Sequence, residues 1–357
     1  MDQQYTIRLE KIEKTLERWL PENPGGVWAD EVFPGLGQSI GPELLRVLAA
    51  PGRDILSRGG KRWRPLLMTL VCEALGGGDA ALPLAPLVEF CHNASLIHDD
   101  IEDNSDERRG KPAVHLIHGV DAAINAGSFL YFLPLACIES WLPAARDNCR
   151  ADVYALWAAH LRRLHLGQAI DIHWHRNFNI VPSVDEYLAM CALKTGCLVR
   201  FAAELGAAAA AAVLAAKTTV NAAVAAERTG PLGDTDRLIN AAEKLGVGFQ
   251  ILDDVKNLTV GIPGKKRGDD IVEGKKSLPV LLFLQRQPEK KEMVCRCFTA
   301  ARAGGVSAPE TEELIQALAA CGVIKDAEEQ GKALIAGARA VFEENSALLA
   351  GLVDLIS

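Results

Sequence analysis

Helical periodicity runs through almost the whole chain and leaves little choice of fold. Between positions 334 and 355 the apolar residues Leu334, Ile335, Ala338, Val341, Phe342, Leu348, Leu349, Leu352 and Leu355 form one stripe at helix spacing, with Glu343 and Glu344 off it. The same spacing recurs over residues 65–75, 87–101, 122–141, 151–174 and 238–255. No stretch alternates apolar and polar residues, and no Val/Ile/Thr-rich run lies between turns, so no strand is expected. Breakers are expected at Pro51-Gly52, Gly76-Gly77-Gly78, Pro182, Gly230-Pro231 and Gly261-Ile262-Pro263-Gly264. The alanine-heavy stretch 207–226 reads as closely packed helix. Helices joined by short loops, without strands, predict an all-α fold: one large helical bundle over residues 1–357, with 1–40 as a peripheral helical region.

Composition narrows the function classes. At 49% hydrophobic and 24% charged residues, the chain has enough apolar surface to offset its conformational entropy, which excludes disorder as the main state. With 38 basic against 46 acidic residues the net charge is −8, so no nucleic-acid partner is expected. Met1-Asp2-Gln3-Gln4 lacks a basic flank followed by an apolar stretch, so no signal peptide is expected. No uncharged run reaches the ~18–20 residues that cross a bilayer, so no transmembrane segment is expected. The nine cysteines are odd in number and irregular in spacing, which fits reduced thiols and a cytoplasmic location.

Two acidic helix ends carry the chemistry. In the first, Asp99-Asp100-Ile101-Glu102-Asp103 follows an apolar run, and Arg108-Arg109-Gly110 comes five residues later. Asp99 and Asp103 are four apart and share one helix face. Two stacked carboxylates repel, so they need either open solvent or a counter-charge such as Mg²⁺, which takes oxygen ligands. The second is Gln250-Ile251-Leu252-Asp253-Asp254-Val255-Lys256-Asn257, with Gln250, Asp253 and Asn257 on one face. Two such ends in one all-α chain, facing each other, would hold several metal ions and a diphosphate. Cations accompany them: Lys61 and Arg64 at a helix start, Arg108 and Arg109, Lys194-Thr195-Gly196 at a helix break, Gly264-Lys265 and Gly274-Lys275. Phosphate oxygens call for such side chains.

Taken together these residues resemble the trans-isoprenyl diphosphate synthases, the polyprenyl synthetase family. The matching pieces are Gly59-Gly60-Lys61 with Arg64-Pro65, His92 through Asp103, Arg108-Arg109-Gly110, Gly167-Gln168 with Asp171, Lys194-Thr195-Gly196, Phe249-Gln250 with Asp253-Asp254, and Gly264-Lys265, Gly268, Asp270, Gly274-Lys275 and Leu278-Pro279. The first acidic end looks most like the geranylgeranyl diphosphate synthases, which also tend to carry Asn in place of a last Asp at the position of Asn257.

The resemblance implies an isoprenoid synthase fold around a deep apolar cavity, a homodimer, and head-to-tail condensation of isopentenyl diphosphate with an allylic diphosphate (dimethylallyl, geranyl or farnesyl). Asp99, Asp103 and Asp253, with Asn257, would bind Mg²⁺, for which Mn²⁺ could substitute. Arg108, Lys194, Lys265 and Lys275 would contact the allylic diphosphate, with Thr195 and Gln250 nearby. Lys61, Arg64, His92 and Arg109 would hold isopentenyl diphosphate. The small residues Ala94 and Ser95, one turn before Asp99, would let the tail pass to about twenty carbons. Two other readings fit less well. A class I terpene cyclase would not need Lys61, Arg64 and His92, and a weakly catalytic regulatory subunit would be expected to lose an acidic motif.

Overall fold

The computed structural model describes residues 3–36, 40–141, 147–220, 232–261 and 266–356. Its contacts gather the expected single bundle into two compact units, each described in turn. The first comprises Met1–Ala159, Phe201–Ile239 and Phe342–Ser357; the second comprises His160–Arg200 and Asn240–Val341.

In the first unit, helices α1 (Gln3–Trp19), α2 (Gly26–Val32), α3 (Pro42–Ser57), α4 (Trp63–Ala74) and α5 (Ala85–Glu102) come before any strand. Helix α4 is buried all round from Pro65 to Cys72 and apolar there except for Thr69, whose hydroxyl bonds Leu66 O at 2.8 Å. Leu66, Leu67 and Met68 are fully enclosed, and each contributes about 1.5–3 kcal/mol of apolar burial. Against α4 and its neighbours pack Ile12 and Leu16 of α1 and Leu87 and Phe90 of α5, all without solvent exposure.

A two-stranded hairpin follows, β1 (Glu107–Arg108) and β2 (Lys111–Pro112), the only sheet among the described residues. At two residues a strand it is too short to give a periodic signal, which is why no strand was expected from the sequence. Helices α6 (Val114–His118), α7 (Val120–Phe132) and α8 (Leu135–Ser140) come next. The helical run expected over 122–141 divides because Pro134 brings no N–H to continue α7.

Pro51-Gly52 does not break the chain; both lie inside α3. Gly52 serves packing instead, since an added Cβ would lie 3.1 Å from the Leu130 side chain of α7.

Long helices carry the chain onward: α9 (Asp147–Arg176), α10 (Val184–Cys191), α11 (Cys197–Val220) and α12 (Leu232–Thr259). The second unit takes parts of these together with α13 (Asp269–Glu273), α14 (Leu278–Arg286), α15 (Lys291–Gly304), α16 (Pro309–Ala320) and most of α17 (Val323–Asn345). Its core includes Tyr187, Cys191, Ile251, Leu278, Phe283, Phe298 and Leu314. The stripe from 334 to 355 is not one helix: it passes from α17 to α18 (Ala347–Ile356) at Ser346. Gly230-Pro231, residues 262–264 and the latter part of the alanine stretch lie outside the described residues.

Three helical stretches run against the expectation of no spanning segment. Gly78–Glu102, Val120–Ser140 and Val184–Ala216 are long and apolar enough to cross a membrane by length and composition once one or two charges are allowed. Buried within the protein are 67%, 50% and 61% of their apolar windows, so much of that apolar surface packs against other helices.

Candidate active site

Helix α5 sets out the first cluster. The Asp103 N–H bonds Asp99 O at 2.9 Å, so the helical pattern extends through the motif and both carboxylates stay on one face. His92, seven residues before Asp99, lies two turns away on that face, about 10.5 Å along the axis. The adjacent Asp100 points elsewhere and is completely enclosed. Arg108 Nε donates to both its oxygens at 2.9 and 3.2 Å, and Nη2 bonds it as well, while Asp99 Oδ2 is 3.9 Å from Arg108 Nη2. Burial raises the Asp100 carboxyl above its usual range, against the pull of Arg108. Burial also disfavours the Arg108 charge, but the bonds to Asp100 outweigh it and raise that group. Sequence reasoning assigned Asp100 no role.

The hairpin turns at Arg109-Gly110, where φ is +53° and +75°. Two positive φ values in a two-residue loop are what a type I′ hairpin demands. A left-handed arginine stores strain there and has to be held by its contacts. Arg109 Nη1 donates to Gly59 O at 2.6 Å, Ile55 O at 3.1 Å and Asn93 Oδ1 at 3.3 Å. Burial, despite nearby Glu89 and helped by Arg62, Arg108 and Arg64, brings its guanidinium down to about 10.

The Gly59-Gly60 turn delivers three cations to different fates. Arg62, unassigned from sequence, is left-handed and 4% exposed, and bonds Glu13, Glu89 and the carbonyls of Gly59 and Leu56. Arg64 lies over the Trp63 ring, its Nη1 3.4 Å from His92 Nε2. Burial, then Arg64, Arg109, Arg108 and Arg62, push His92 well below its ordinary pKa, so the imidazole is neutral among four arginines. Lys61 is exposed and donates to Ile356 O at 3.0 Å. Ala94 is fully buried, and Ser95 turns its hydroxyl back to His92 O at 2.8 Å.

In the second unit the helix break expected at Lys194-Thr195-Gly196 is instead a π-helical turn, Ala192–Gly196, between α10 and α11. Such turns recur at functional sites. Gly167 of α9 packs against it; a Cβ there would collide with Lys194 N and Leu193 C. Lys194 pairs with Asp171 at 2.6 Å. A directed chain follows: Thr195 Oγ1 donates to Gln250 Oε1 at 2.7 Å, Gln250 Nε2 to Asp254 Oδ1 at 3.0 Å, and Tyr187 Oη to Asp254 Oδ2 at 2.7 Å. Burial first, then Asp270, raises the Asp254 carboxyl to about 7, with Tyr187 and Gln250 opposing. Asp253, the preceding residue, is exposed.

Asn257 is 1% exposed and occupied by backbone. Its Oδ1 accepts from Asp270 N at 3.1 Å, and its Nδ2 faces Lys266 O at 3.4 Å. Lys275 pairs with Glu273 at 2.6 Å. Asp171, Tyr187, Lys194, Gln250, Asp254 and Lys275 border a cavity of about 30 Å³, room for a water or two. Lys265 lies outside the described residues. The structure thus brings Lys61, Arg64, His92, Asp99, Asp103, Arg108 and Arg109 into one unit and Lys194, Thr195, Gln250, Asp253, Asn257 and Lys275 into the other.

The polyprenyl synthetase family model matches residues 45–314, more than half of the chain. The chain belongs to the polyprenyl synthetase family. Among its relatives is a geranylgeranyl pyrophosphate synthase of Eremothecium gossypii, 31% identical over 257 residues, covering 70% of this chain and 74% of the relative. A short chain isoprenyl diphosphate synthase of Methanocaldococcus jannaschii is 37% identical over 246 residues, 67% of each chain. The crystal structure of geranylgeranyl pyrophosphate synthetase from Pyrococcus horikoshii superposes with a TM-score of 0.78 at 26% identity, covering 99% of this chain and 95% of that one. A polyprenyl synthetase is an enzyme, a prenyltransferase with isoprenoid diphosphates as its substrate class; its all-α architecture is what the helical periodicity predicts, and the isoprenoid synthase fold is what the resemblance implies.

Proposed function

We propose that the chain condenses isopentenyl diphosphate head-to-tail with an allylic diphosphate, with Mg²⁺ as its metal and geranylgeranyl diphosphate as its main product. The observation that carries this is the pairing of Asp99 and Asp103 on one face of α5, with Arg108 beside them and the Arg64–His92–Arg109 group in the same unit. The names of the Eremothecium and Methanocaldococcus relatives support it.

The donor chemistry fits a hard cation. Asp99, Asp103 and Asp253 offer oxygen ligands only. That suits Mg²⁺, which takes one or two carboxylates and fills the rest of its shell with water and substrate phosphates. When bound, the metal neutralises charge on the departing diphosphate. Asp99 and Asp103 are the residues of the first unit that would hold a metal ion, and Asp253 is the candidate in the second; Asn257, engaged with the backbone of Lys266 and Asp270, is a poorer candidate than its spacing implies.

The side chains perform the remaining work. Arg108 offsets the charge of the leaving diphosphate as the allylic C–O bond breaks and the electron pair goes to oxygen; for Lys194 and Lys275 of the second unit, the family resemblance implies contact with the same diphosphate. Lys61, Arg64 and Arg109 anchor isopentenyl diphosphate, and neutral His92 donates a hydrogen bond without adding charge. The isopentenyl double bond attacks the allylic cation, a new C–C bond forms, and a proton is lost to the released pyrophosphate. Water must be kept from the cation. A homodimer and a cytoplasmic location belong to the same proposal; nine free thiols favour the latter.

The test is incubation of the purified chain with isopentenyl diphosphate, each of the three allylic primers and Mg²⁺, with products sized by chromatography. A twenty-carbon product is expected, and failure to consume isopentenyl diphosphate with every primer overturns the proposal.

A further inference from the structure

Arg58 follows α3 and directly precedes the Gly59-Gly60 turn, with its side chain fully enclosed. Its Nη1 donates to Arg108 O at 3.0 Å and to Pro112 O at 2.9 Å, one carbonyl in each strand of the hairpin. Nε and Nη2 face the Asp54 carboxylate side-on, at 3.0 and 2.8 Å. His118 Nε2 lies 3.1 Å from Asp54 Oδ2. Burial works against the Asp54 charge, but Arg58 and His118 together hold the carboxyl below its usual range. In return, Arg109 Nη1 reaches back to Gly59 O and Ile55 O. Each arginine therefore grips backbone beside the other.

Stability does not explain this arrangement. A buried ion pair is as often neutral or costly as helpful compared with apolar packing. Placement does explain it. A hairpin with two residues per strand is marginal by itself, and its turn holds a strained left-handed arginine. Something outside the hairpin has to fix where Arg109 stands, and Arg58 contacts both strands.

We infer that Arg58, aligned by Asp54 and His118, is a positioning residue that sets the hairpin and, through it, the Arg109 guanidinium against isopentenyl diphosphate. This rests on the function proposed above, because that assigns Arg109 to isopentenyl diphosphate.

The experiment is steady-state kinetics on the full chain for Arg58→Gln, Arg58→Lys, Asp54→Asn, Arg109→Lys and the doubles with Arg109→Lys, alongside calorimetry with inorganic pyrophosphate. In Arg58→Gln, KM for isopentenyl diphosphate should rise roughly tenfold and KM for the allylic primer less than about twofold. Arg58→Lys should recover part of that loss, and Asp54→Asn should move the same KM in the same direction by less. Because Arg58 acts through Arg109, Arg58→Gln should add little to Arg109→Lys. Additive effects in that cycle, an equal rise in both KM values, or lost thermal stability with unchanged KM would overturn the inference. Should Arg58→Gln fail to fold, the Asp54→Asn and Arg109→Lys cycle decides on the same terms. A wild-type chain inert toward isopentenyl diphosphate would overturn the proposed function instead. Pyrophosphate binding then decides the positioning role: Arg58→Gln and Arg109→Lys must weaken it non-additively, and additive weakening or none overturns the role.

Discussion

Arg108 binds Asp100 rather than Asp99: its Nε sits 2.9 and 3.2 Å from the two oxygens of Asp100, while Asp99 Oδ2 comes no nearer than 3.9 Å to its Nη2. Consecutive helical residues differ by about 100° in direction, so two adjacent acids face different surroundings. The second motif repeats the division, with Asp253 exposed and Asp254 buried under Tyr187 and Gln250. In the function proposed above, the first acid of each pair meets substrate and metal, while the second is held by side chains of the fold: Arg108 for Asp100, Tyr187 and Gln250 for Asp254. Asp99→Asn should therefore lower kcat/KM on the order of a hundredfold or more while changing stability by less than about 1 kcal/mol. Asp100→Asn should cost about 3 kcal/mol, since it leaves Arg108 buried without its partner. Thermal denaturation and kinetics on both variants separate the roles; equal stability losses would show that the two acids share one role.

Asn257 provides a second test. Asn257→Asp removes the donor facing Lys266 O and places another carboxylate beside buried Asp270. Amide exchange over residues 266–273 should quicken, and stability should fall by about 1–2 kcal/mol. The Mg²⁺ concentration for half-maximal activity should not fall. A tighter metal requirement in this variant would restore Asn257 as a ligand position.

Tail length is tested one turn before Asp99. Ala94 is enclosed and Ser95 partly buried. Filling both positions with Phe should shorten the product, at a packing cost of about 1–3 kcal/mol. An unchanged product profile from a folded, active double variant would place the limit on chain length elsewhere.

Lys276 gives a pH-dependent prediction. Its amine is buried, bonds Gly274 O at 3.0 Å and lies 4.5 and 5.3 Å from the Phe298 and Phe178 ring centres. Burial lowers its pKa from 10.5 to about 8. A base with a depressed pKa in the folded chain penalises folding wherever the amine is still charged. The penalty is complete below about pH 8 and fades as the pH rises toward 10.5. Allowing for the ring contacts it forfeits, Lys276→Met should stabilise the chain on the order of 1–2 kcal/mol near neutrality and by less at about pH 10. Denaturant titrations at the two pH values check this, and a destabilised variant near neutrality would mean that the rings outweigh burial.

The helices and both acidic motifs were legible in the sequence because each rests on a local period: 3.6 residues for α4 and α5, four residues for Asp99 and Asp103. What was not legible depends on contacts remote along the chain. Nothing near Tyr187 marks it as the partner of Asp254, sixty-seven positions on. Arg58 and Arg62 look like any basic residues until Arg108 O, Pro112 O and Glu89 are brought to them. Pro51-Gly52 reads as a breaker because the Leu130 side chain that needs the missing Cβ is far away in sequence.

The π-helical turn at Ala192–Gly196 amounts to one surplus residue in an otherwise continuous rod. It shifts the phase of everything beyond it by about 100° relative to a regular helix. The face of α10 that carries Tyr187 is therefore not the face that α11 continues. Excising a single residue from the turn would leave a regular helix one residue shorter, with Lys194 rotated off Asp171 and Thr195 off Gln250: an indel, rather than a substitution, is the mutation this region can least absorb.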